Sequence, residues 1–228
     1  MTTTDAAQLS RAGLARLLDH SVLKPESTAR EIIAGADVVS AHRIGFYCVQ
    51  PTWVKLAVQS LTKTDALIVA VVGFPHGCDV TVVKARAAEF AVIDGAREID
   101  MVINLGALKS EDMTLVETDI ASIVRAVPAI AVKVIIEAAA LDDSEKILAC
   151  RIAVDAGAAF VKTSTGFHPS GGATTSDIRL MRNTVGPQIG VKASGGVRSL
   201  ADVHAMLAAG ANRIGTSSSA AILAALEI

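Results

Sequence analysis

From one end of the 228-residue chain to the other, short apolar runs alternate with longer amphipathic segments. Eight runs have the length and composition of buried strands: LLDHSVL (17–23), FYCVQ (46–50), ALIVAVVGF (66–74), EIDMVIN (98–104), AVKVIIE (131–137), FVKTS (160–164), IGVKAS (189–194) and RIGTS (213–217). Near-continuous apolar strands indicate a parallel sheet covered by helices on both faces. Each run is followed by helical spacing; over 144–156, Ile147, Cys150 and Val154 recur at i, i+3 and i+7, with Leu148 and Ile152 beside them. Three segments, DGAREID (94–100), AGAAFVK (156–162) and AGANRIG (209–215), place Gly-Ala just before a strand. Glycine there supplies the left-handed residue that closes a helix. Eight strand–helix units are the number that closes into a (β/α)8 barrel. An open doubly wound sheet is the alternative, but no GxGxxG follows the first strand to support it. No linker or composition shift divides the chain, so the expectation is one α/β domain over 1–228 with a short N-terminal lead-in before the first strand.

A chain of this size buries a large core and needs no disulfide staples. Its three cysteines, Cys48, Cys78 and Cys150, lie far apart without CxxC spacing, which reads as reduced thiols. A net charge of −2 offers no basic footprint for nucleic acid. Arginines interrupt the first twenty residues where a signal peptide needs its apolar segment. No uncharged apolar run approaches membrane-spanning length. The expectation is a soluble, cytoplasmic protein with no membrane partner.

Charges interrupt the buried runs. Lys133, Lys162 and Lys192 lie in the fifth, sixth and seventh strand candidates; Glu98 and Asp100 lie in the fourth, and Glu137 ends the fifth in phase with Lys133. Side chains alternate faces along a strand. A charge packed under a helix would be stranded in apolar surroundings, so all of these are expected to face the lumen. Buried ion pairs that fix strand register are one reading, and it suits Lys133 and Glu137 best. Lys162 and Lys192 are each followed by Gly-rich turns at the C-terminal rim, where this fold carries its active sites.

The near-repeat of VKTSTG (161–166) in VKASGG (191–196) makes the two lysines a matched pair. A free lysine has a pKa of about 10.4, so roughly one in a few thousand is neutral at pH 7. A neighbouring ammonium and partial desolvation both disfavour the charged form and free the amine to attack a carbonyl. With an aspartate to move protons, this is the logic of imine-forming carbon–carbon chemistry. The Gly-rich turns STGF (164–167), SGGV (194–197) and GTSSS (215–219) let backbone N–H groups approach an anion, and phosphate is usual beyond strands 7 and 8. Ser217 and Ser218 either touch that phosphate or cap the last helix. No HExxH, ligand-spaced histidines, Walker A or dinucleotide fingerprint is present, so neither a metal nor an organic cofactor is expected. Cys48 reads as a small buried thiol.

LDHSVLKPEST, VVGFPHG, EIDMVINLGAL, VKVIIEAAAL, FVKTSTGFHPSGGAT and VKASGGVR together resemble the deoxyribose-phosphate aldolases, class I aldolases, in order over nearly the whole chain. The resemblance implies a TIM barrel that reversibly cleaves 2-deoxyribose 5-phosphate to glyceraldehyde 3-phosphate and acetaldehyde, without a cofactor. It also implies roles: Lys162 as Schiff-base nucleophile, Lys192 as the second lysine that perturbs it, and Asp100 as general acid/base through an ordered water. Backbone at Gly166, Gly195 and Gly196, with Ser217 and Ser218, is implied to hold the phosphate, and a homodimer is the expected assembly. The residues alone do not decide which lysine attacks. Some members of that family end in a tyrosine-bearing tail; this sequence ends AALEI, and its only tyrosine is Tyr47. Two rivals stand beside this reading: another lysine-based aldolase or transaldolase acting on a different phosphosugar, and a non-catalytic phosphosugar-binding protein on the same scaffold.

Overall fold

A computed structural model describes residues 9–61 and 64–226. All eight expected strands form, as β1 (Leu18–Val22), β2 (Phe46–Val49), β3 (Leu67–Val72), β4 (Glu98–Val102), β5 (Ala131–Ile135), β6 (Phe160–Lys162), β7 (Gly190–Ser194) and β8 (Arg213–Thr216). Every neighbouring pair is parallel, and β8 returns to pair with β1, closing the barrel in sequence order. The expected strands overrun mostly at their C-terminal ends. There the chain leaves the sheet for the loops of the rim.

The helices are α1 (Arg11–Ala15), α2 (Ala29–His42), α3 (Val54–Ser60), α4 (Thr81–Ile93), α5 (Leu105–Lys109), α6 (Met113–Ala126), α7 (Asp143–Asp155), α8 (Thr175–Val185), α9 (Leu200–Ala208) and α10 (Ser219–Ala224). The lead-in before β1 thus contains α1, while its first eight residues lie outside the described ones. Capping boxes start α2 at Thr28 with Glu31, α7 at Asp142 with Glu145, and α9 at Ser199 with Asp202. In each box the cap side chain and the residue three positions on satisfy two backbone donors that the first turn leaves free. Gly95, Gly157 and Gly210, the expected helix-closing glycines, all have positive φ, between 91° and 116°.

The main core lies between the strands' outward faces and the helices, with Leu18, Ile32, Val39, Ile99, Met101, Val134 and Ile214 all closed to solvent. Each such side chain contributes about 1.5–3 kcal/mol on burial. The inward phase differs. Leu23, Cys48, Val69 and Val71 form a small apolar wall on one side of the lumen. Much of the remaining lumen is charged.

Candidate active site

Pairing register brings the strand charges to adjoining levels of the lumen: Asp100 is opposite Lys133, Lys162 opposite Lys192, and Lys192 opposite Arg213. Asp100 Oδ2 accepts from both Lys162 Nζ and Lys192 Nζ, each at 2.8 Å, and its Oδ1 accepts from Lys133 Nζ at 2.8 Å. Lys133 also pairs with Glu98 at 2.6 Å. Lys192 donates a very short bond to Asp19 in β1. Arg213 bridges Asp19 and Glu98, each at 3.0 Å, with its guanidinium 3.3 Å over the Phe46 ring. Three carboxylates and four cations from β1, β4, β5, β6, β7 and β8 make one continuous network.

The cations are not equally compensated. Among the described residues, Lys133, Lys192 and Arg213 each meet two carboxylates, whereas Lys162 meets only Asp100, at the oxygen it shares with Lys192. Burial alone would push Lys192 down, but Asp100 and Asp19 outweigh it and hold its ammonium well above the usual lysine range. Burial likewise opposes the Asp100 charge, and Lys133, Lys162 and Lys192 together hold that carboxyl well below its usual range. Asp19 is also lowered, its burial outweighed by Lys192 and Arg213. In the resting site Asp100 is therefore a carboxylate and Lys192 an ammonium. Burial, with Asp100 nearby, pushes the Cys48 thiol up to about 11, so it stands neutral beside the network.

Both lysines open onto a cavity of about 620 Å³ at the C-terminal rim, whose lining includes Gly166, Gly195, Gly196 and Ser217. Asp100 is fully buried beneath the lysines. Ser218, half-buried at the head of α10, is not part of the lining; its side chain makes no cap bond, and its N–H donates to Thr216 Oγ1 at 3.0 Å. The rim loops interlock closely. A Cβ on Gly195 would meet Gly172 Cα at 3.1 Å, Ser164 Cβ at 3.2 Å and Gly166 Cα at 3.4 Å, and Gly195 has φ +82°, so glycine is required there. Thr163 Oγ1, just past β6, donates to the Ser194 carbonyl at 2.9 Å and accepts from the Ser194 N–H at 3.0 Å, which fixes the two lysine strands together.

Of the two charges best suited to a structural reading, Lys133 is held in buried ion pairs with Glu98 and Asp100, whereas Glu137 is held by hydrogen bonds to a neutral residue. β5 ends at Ile135, and Glu137 sits in a left-handed turn with φ +54°. Its buried carboxylate accepts from the Thr165 hydroxyl at 2.6 Å and the Thr165 N–H at 3.2 Å, while Thr165 Oγ1 accepts from Phe167 N–H at 3.1 Å. Glu137 therefore clamps the loop after Lys162.

Sequence reasoning placed the charged cluster on β4 to β7 and missed Asp19 and Arg213. The same signal was available for both, a charge within a buried run. Their part becomes visible only when closure sets β1 beside β8 and turns Asp19 toward Lys192. Among the described residues, no group of three or more His, Cys, Asp or Glu side chains is arranged to hold a metal ion. No described helix is long and apolar enough to cross a membrane.

Lysines that share a carboxylate beneath a glycine-lined rim cavity are suited to imine chemistry on an anionic carbonyl substrate, and comparison with known proteins points the same way. The chain is 51% identical over 211 residues to the deoxyribose-phosphate aldolase of Listeria monocytogenes, an alignment covering 92% of this chain and 94% of that one. The solved structure of the aldolase QR15 superposes with a TM-score of 0.89 at 39% identity, covering 93% and 95% of the two chains. A tetrameric deoxyribose phosphate aldolase from Aeropyrum pernix gives a TM-score of 0.88 at 31% identity, covering 96% and 92%. Residues 8–225 match the profile of the DeoC/LacD family aldolases, and the chain belongs to that family.

Proposed function

We propose that this protein is a deoxyribose-phosphate aldolase that reversibly cleaves 2-deoxyribose 5-phosphate to glyceraldehyde 3-phosphate and acetaldehyde through a Schiff base on Lys162. The observation that carries this reading is the unequal compensation of the two lysines. Lys192 is locked as a cation between Asp19 and Asp100, while Lys162 shares its one carboxylate with that cation at the edge of the cavity. Loss of a proton from Lys162 relieves the repulsion and leaves three carboxylates facing three cations. Lys162 is thus the amine free to attack.

In the cleavage direction, neutral Lys162 Nζ adds to C1 of the open-chain sugar phosphate. The carbinolamine takes up a proton and expels water, leaving a protonated imine. Asp100, a carboxylate at rest, receives the proton that leaves the nitrogen and returns one through an ordered water to the departing hydroxyl. The imine is an electron sink: as the C3 hydroxyl loses its proton, the C2–C3 bonding pair moves to form an enamine. Glyceraldehyde 3-phosphate leaves. Protonation of the enamine at C2 and addition of water release acetaldehyde and restore Lys162. Every step uses protein groups and water alone. Backbone N–H groups around Gly166, Gly195 and Gly196, with the Ser217 hydroxyl, hold the phosphate.

The chain is read as one catalytic barrel domain working in the cytoplasm as a homodimer. Borohydride reduction in the presence of 2-deoxyribose 5-phosphate, followed by peptide mass spectrometry, tests the chemistry. The expected result is a reduced adduct on the Lys162 peptide, with both aldehydes detected in the unreduced reaction. An adduct on Lys192 would reverse the two roles. Binding without an adduct on either lysine would overturn the aldolase reading in favour of a phosphosugar-binding protein.

A further inference from the structure

The strand charges close into a ring. Glu98 pairs with Lys133 at 2.6 Å, Lys133 with Asp100 at 2.8 Å and Asp100 with Lys192 at 2.8 Å. Lys192 then pairs with Asp19, and Arg213 joins Asp19 back to Glu98, at 3.0 Å from each. Carboxylates and cations alternate around it, and Lys162 hangs from Asp100 outside it. One link does not join neighbouring strands. Lys192 lies on β7 and Asp19 on β1, so the bond between them has to cross β8. Pairing register shows where. Gly215 of β8 stands opposite Ser194 on one side and Asp19 on the other, one inward step beyond Arg213, which is opposite Lys192. A side chain at 215 would stand in the path of the lysine: a Cβ there would meet Lys192 Cε at 3.1 Å and Ser194 Cβ at 3.1 Å. The backbone does not call for glycine at this position, because φ lies outside the left-handed region. Glycine inside a strand weakens it and marks a close approach by another group. Here that group is the Lys192 side chain.

We propose that Gly215 is a positioning residue whose missing side chain lets Lys192 cross β8 to Asp19, and that this crossing reserves Lys162 as the amine that attacks. The inference rests on the aldolase reading above and names the residue that keeps its two lysines unequal. Ser194 Cβ is fixed by the β7 backbone, so a methyl group at 215 displaces the lysine stem, the more flexible of its two neighbours. Arg213 still holds Asp19 by its other oxygen, and the carboxylate does not follow the ammonium. Lys192 then keeps Asp100 and loses Asp19. That leaves both lysines on one shared carboxylate oxygen with nothing to tell them apart.

Borohydride trapping with 2-deoxyribose 5-phosphate and peptide mapping of Gly215→Ala, beside its kcat and KM, tests this inference. The wild type is expected to carry its adduct on Lys162 alone. Gly215→Ala is expected to divide the adduct between the Lys162 and Lys192 peptides and to lose about tenfold or more in kcat. Thermal unfolding of Gly215→Ala, Lys192→Ala and the double variant completes a cycle that needs no turnover. With the lysine stem gone the methyl group displaces nothing, so Gly215→Ala should cost stability in the wild type and none in Lys192→Ala. Equal costs in both backgrounds would place the clash at Ser194 and overturn the proposal. Gly215→Ala labelled on Lys162 alone at unchanged kcat would also overturn it and leave the aldolase reading standing. A wild type without an adduct on either lysine would overturn that reading and the selection with it.

Discussion

Lys162 and Lys192 donate to the same oxygen, Asp100 Oδ2, at the same distance of 2.8 Å. They are nevertheless unequal, because only Lys192 has a second carboxylate, Asp19. A shared acceptor couples the two charges: whichever lysine loses its proton leaves Asp100 to the other. In the proposed mechanism Asp19 decides which one that is. On that reading, the near-repeat that made the lysines indistinguishable in sequence is resolved by a residue at the other end of the chain.

Replacing Lys162 by Leu removes the proposed nucleophile, and the expected outcome is no detectable aldol cleavage and no borohydride adduct. Lys192→Leu leaves a nucleophile but no fixed cation to press on it. Activity at pH 7 is expected to fall by about 100-fold or more, the scale on which positioned proton-transfer groups act. Measuring kcat/KM for both variants checks this; a Lys192→Leu enzyme as active as the wild type would show that the second cation is not needed.

Asp19→Asn tests the asymmetry directly. Without that carboxylate, Lys192 keeps only its share of Asp100, as Lys162 does, while Arg213 retains Glu98. The expected outcome is lower turnover together with borohydride adducts divided between the Lys162 and Lys192 peptides. Peptide mapping that finds the label on Lys162 alone would show that cavity geometry, rather than charge, selects the nucleophile.

The barrel was legible in the sequence because burial on both faces writes each strand as an apolar run and helix-closing glycines mark where the next one starts. All eight runs became strands, and Lys162, Lys192 and Asp100 meet as alternation requires. What was not legible depends on closure and on backbone turns. Asp19 and Arg213 join the network only because β1 and β8 are neighbours. Glu137 carried the period-two phase of a strand residue, but the strand had already ended, and a left-handed turn aimed it at Thr165. Periodicity describes residues inside an element and says nothing about the first residues beyond it.

Acid sensitivity should begin above the range in which carboxylates titrate. His20, buried in β1 with its ring 3.2 Å from the Ser219 hydroxyl, is pushed by that burial, and by His42, from 6.5 down to about 4. Below pH 6.5 the unfolded chain takes up a proton that the native one refuses, so stability falls as pH drops from 6.5 to 4 and no further from this group. The full loss is about 3 kcal/mol. Asp19 and Asp100 are lowered instead, so their contribution is lost only below about pH 4. Urea unfolding between pH 4.5 and 7.5 is expected to show a sloping wild type and a flatter His20→Asn. Parallel slopes would mean that His20 is not the group responsible.

A second buried pair lies away from the site. Lys84 on α4 donates to Asp119 on α6 at 2.6 Å and to the Val102 carbonyl at 3.0 Å, with both side chains almost wholly closed to solvent. Lys84→Met leaves the Asp119 carboxylate buried without its partner and is expected to cost about 3–5 kcal/mol. Lys84→Met with Asp119→Leu removes both charges and should recover most of that loss. Thermal unfolding of the three proteins decides; a double variant as unstable as the single one would mean that the pair is needed for packing rather than for mutual compensation.

Glu137 holds the loop that carries Gly166, and that is where its substitution should be felt. The clamp spends both carboxylate oxygens on Thr165, which in turn receives the Phe167 N–H, so the turn between Lys162 and the proposed phosphate site is fixed from below. Glu137→Gln keeps the size but loses the charge-assisted character of these bonds, which are about twice as strong as neutral ones. The loop then relaxes on the phosphate side, while Lys162 stays anchored in β6 by its strand partners. The expected outcome is a KM for 2-deoxyribose 5-phosphate raised by about tenfold, with little change in kcat. For 2-deoxyribose, which has no phosphate to misplace, kcat/KM should hardly move. Equal losses on both substrates would instead make Glu137 a support for the barrel as a whole.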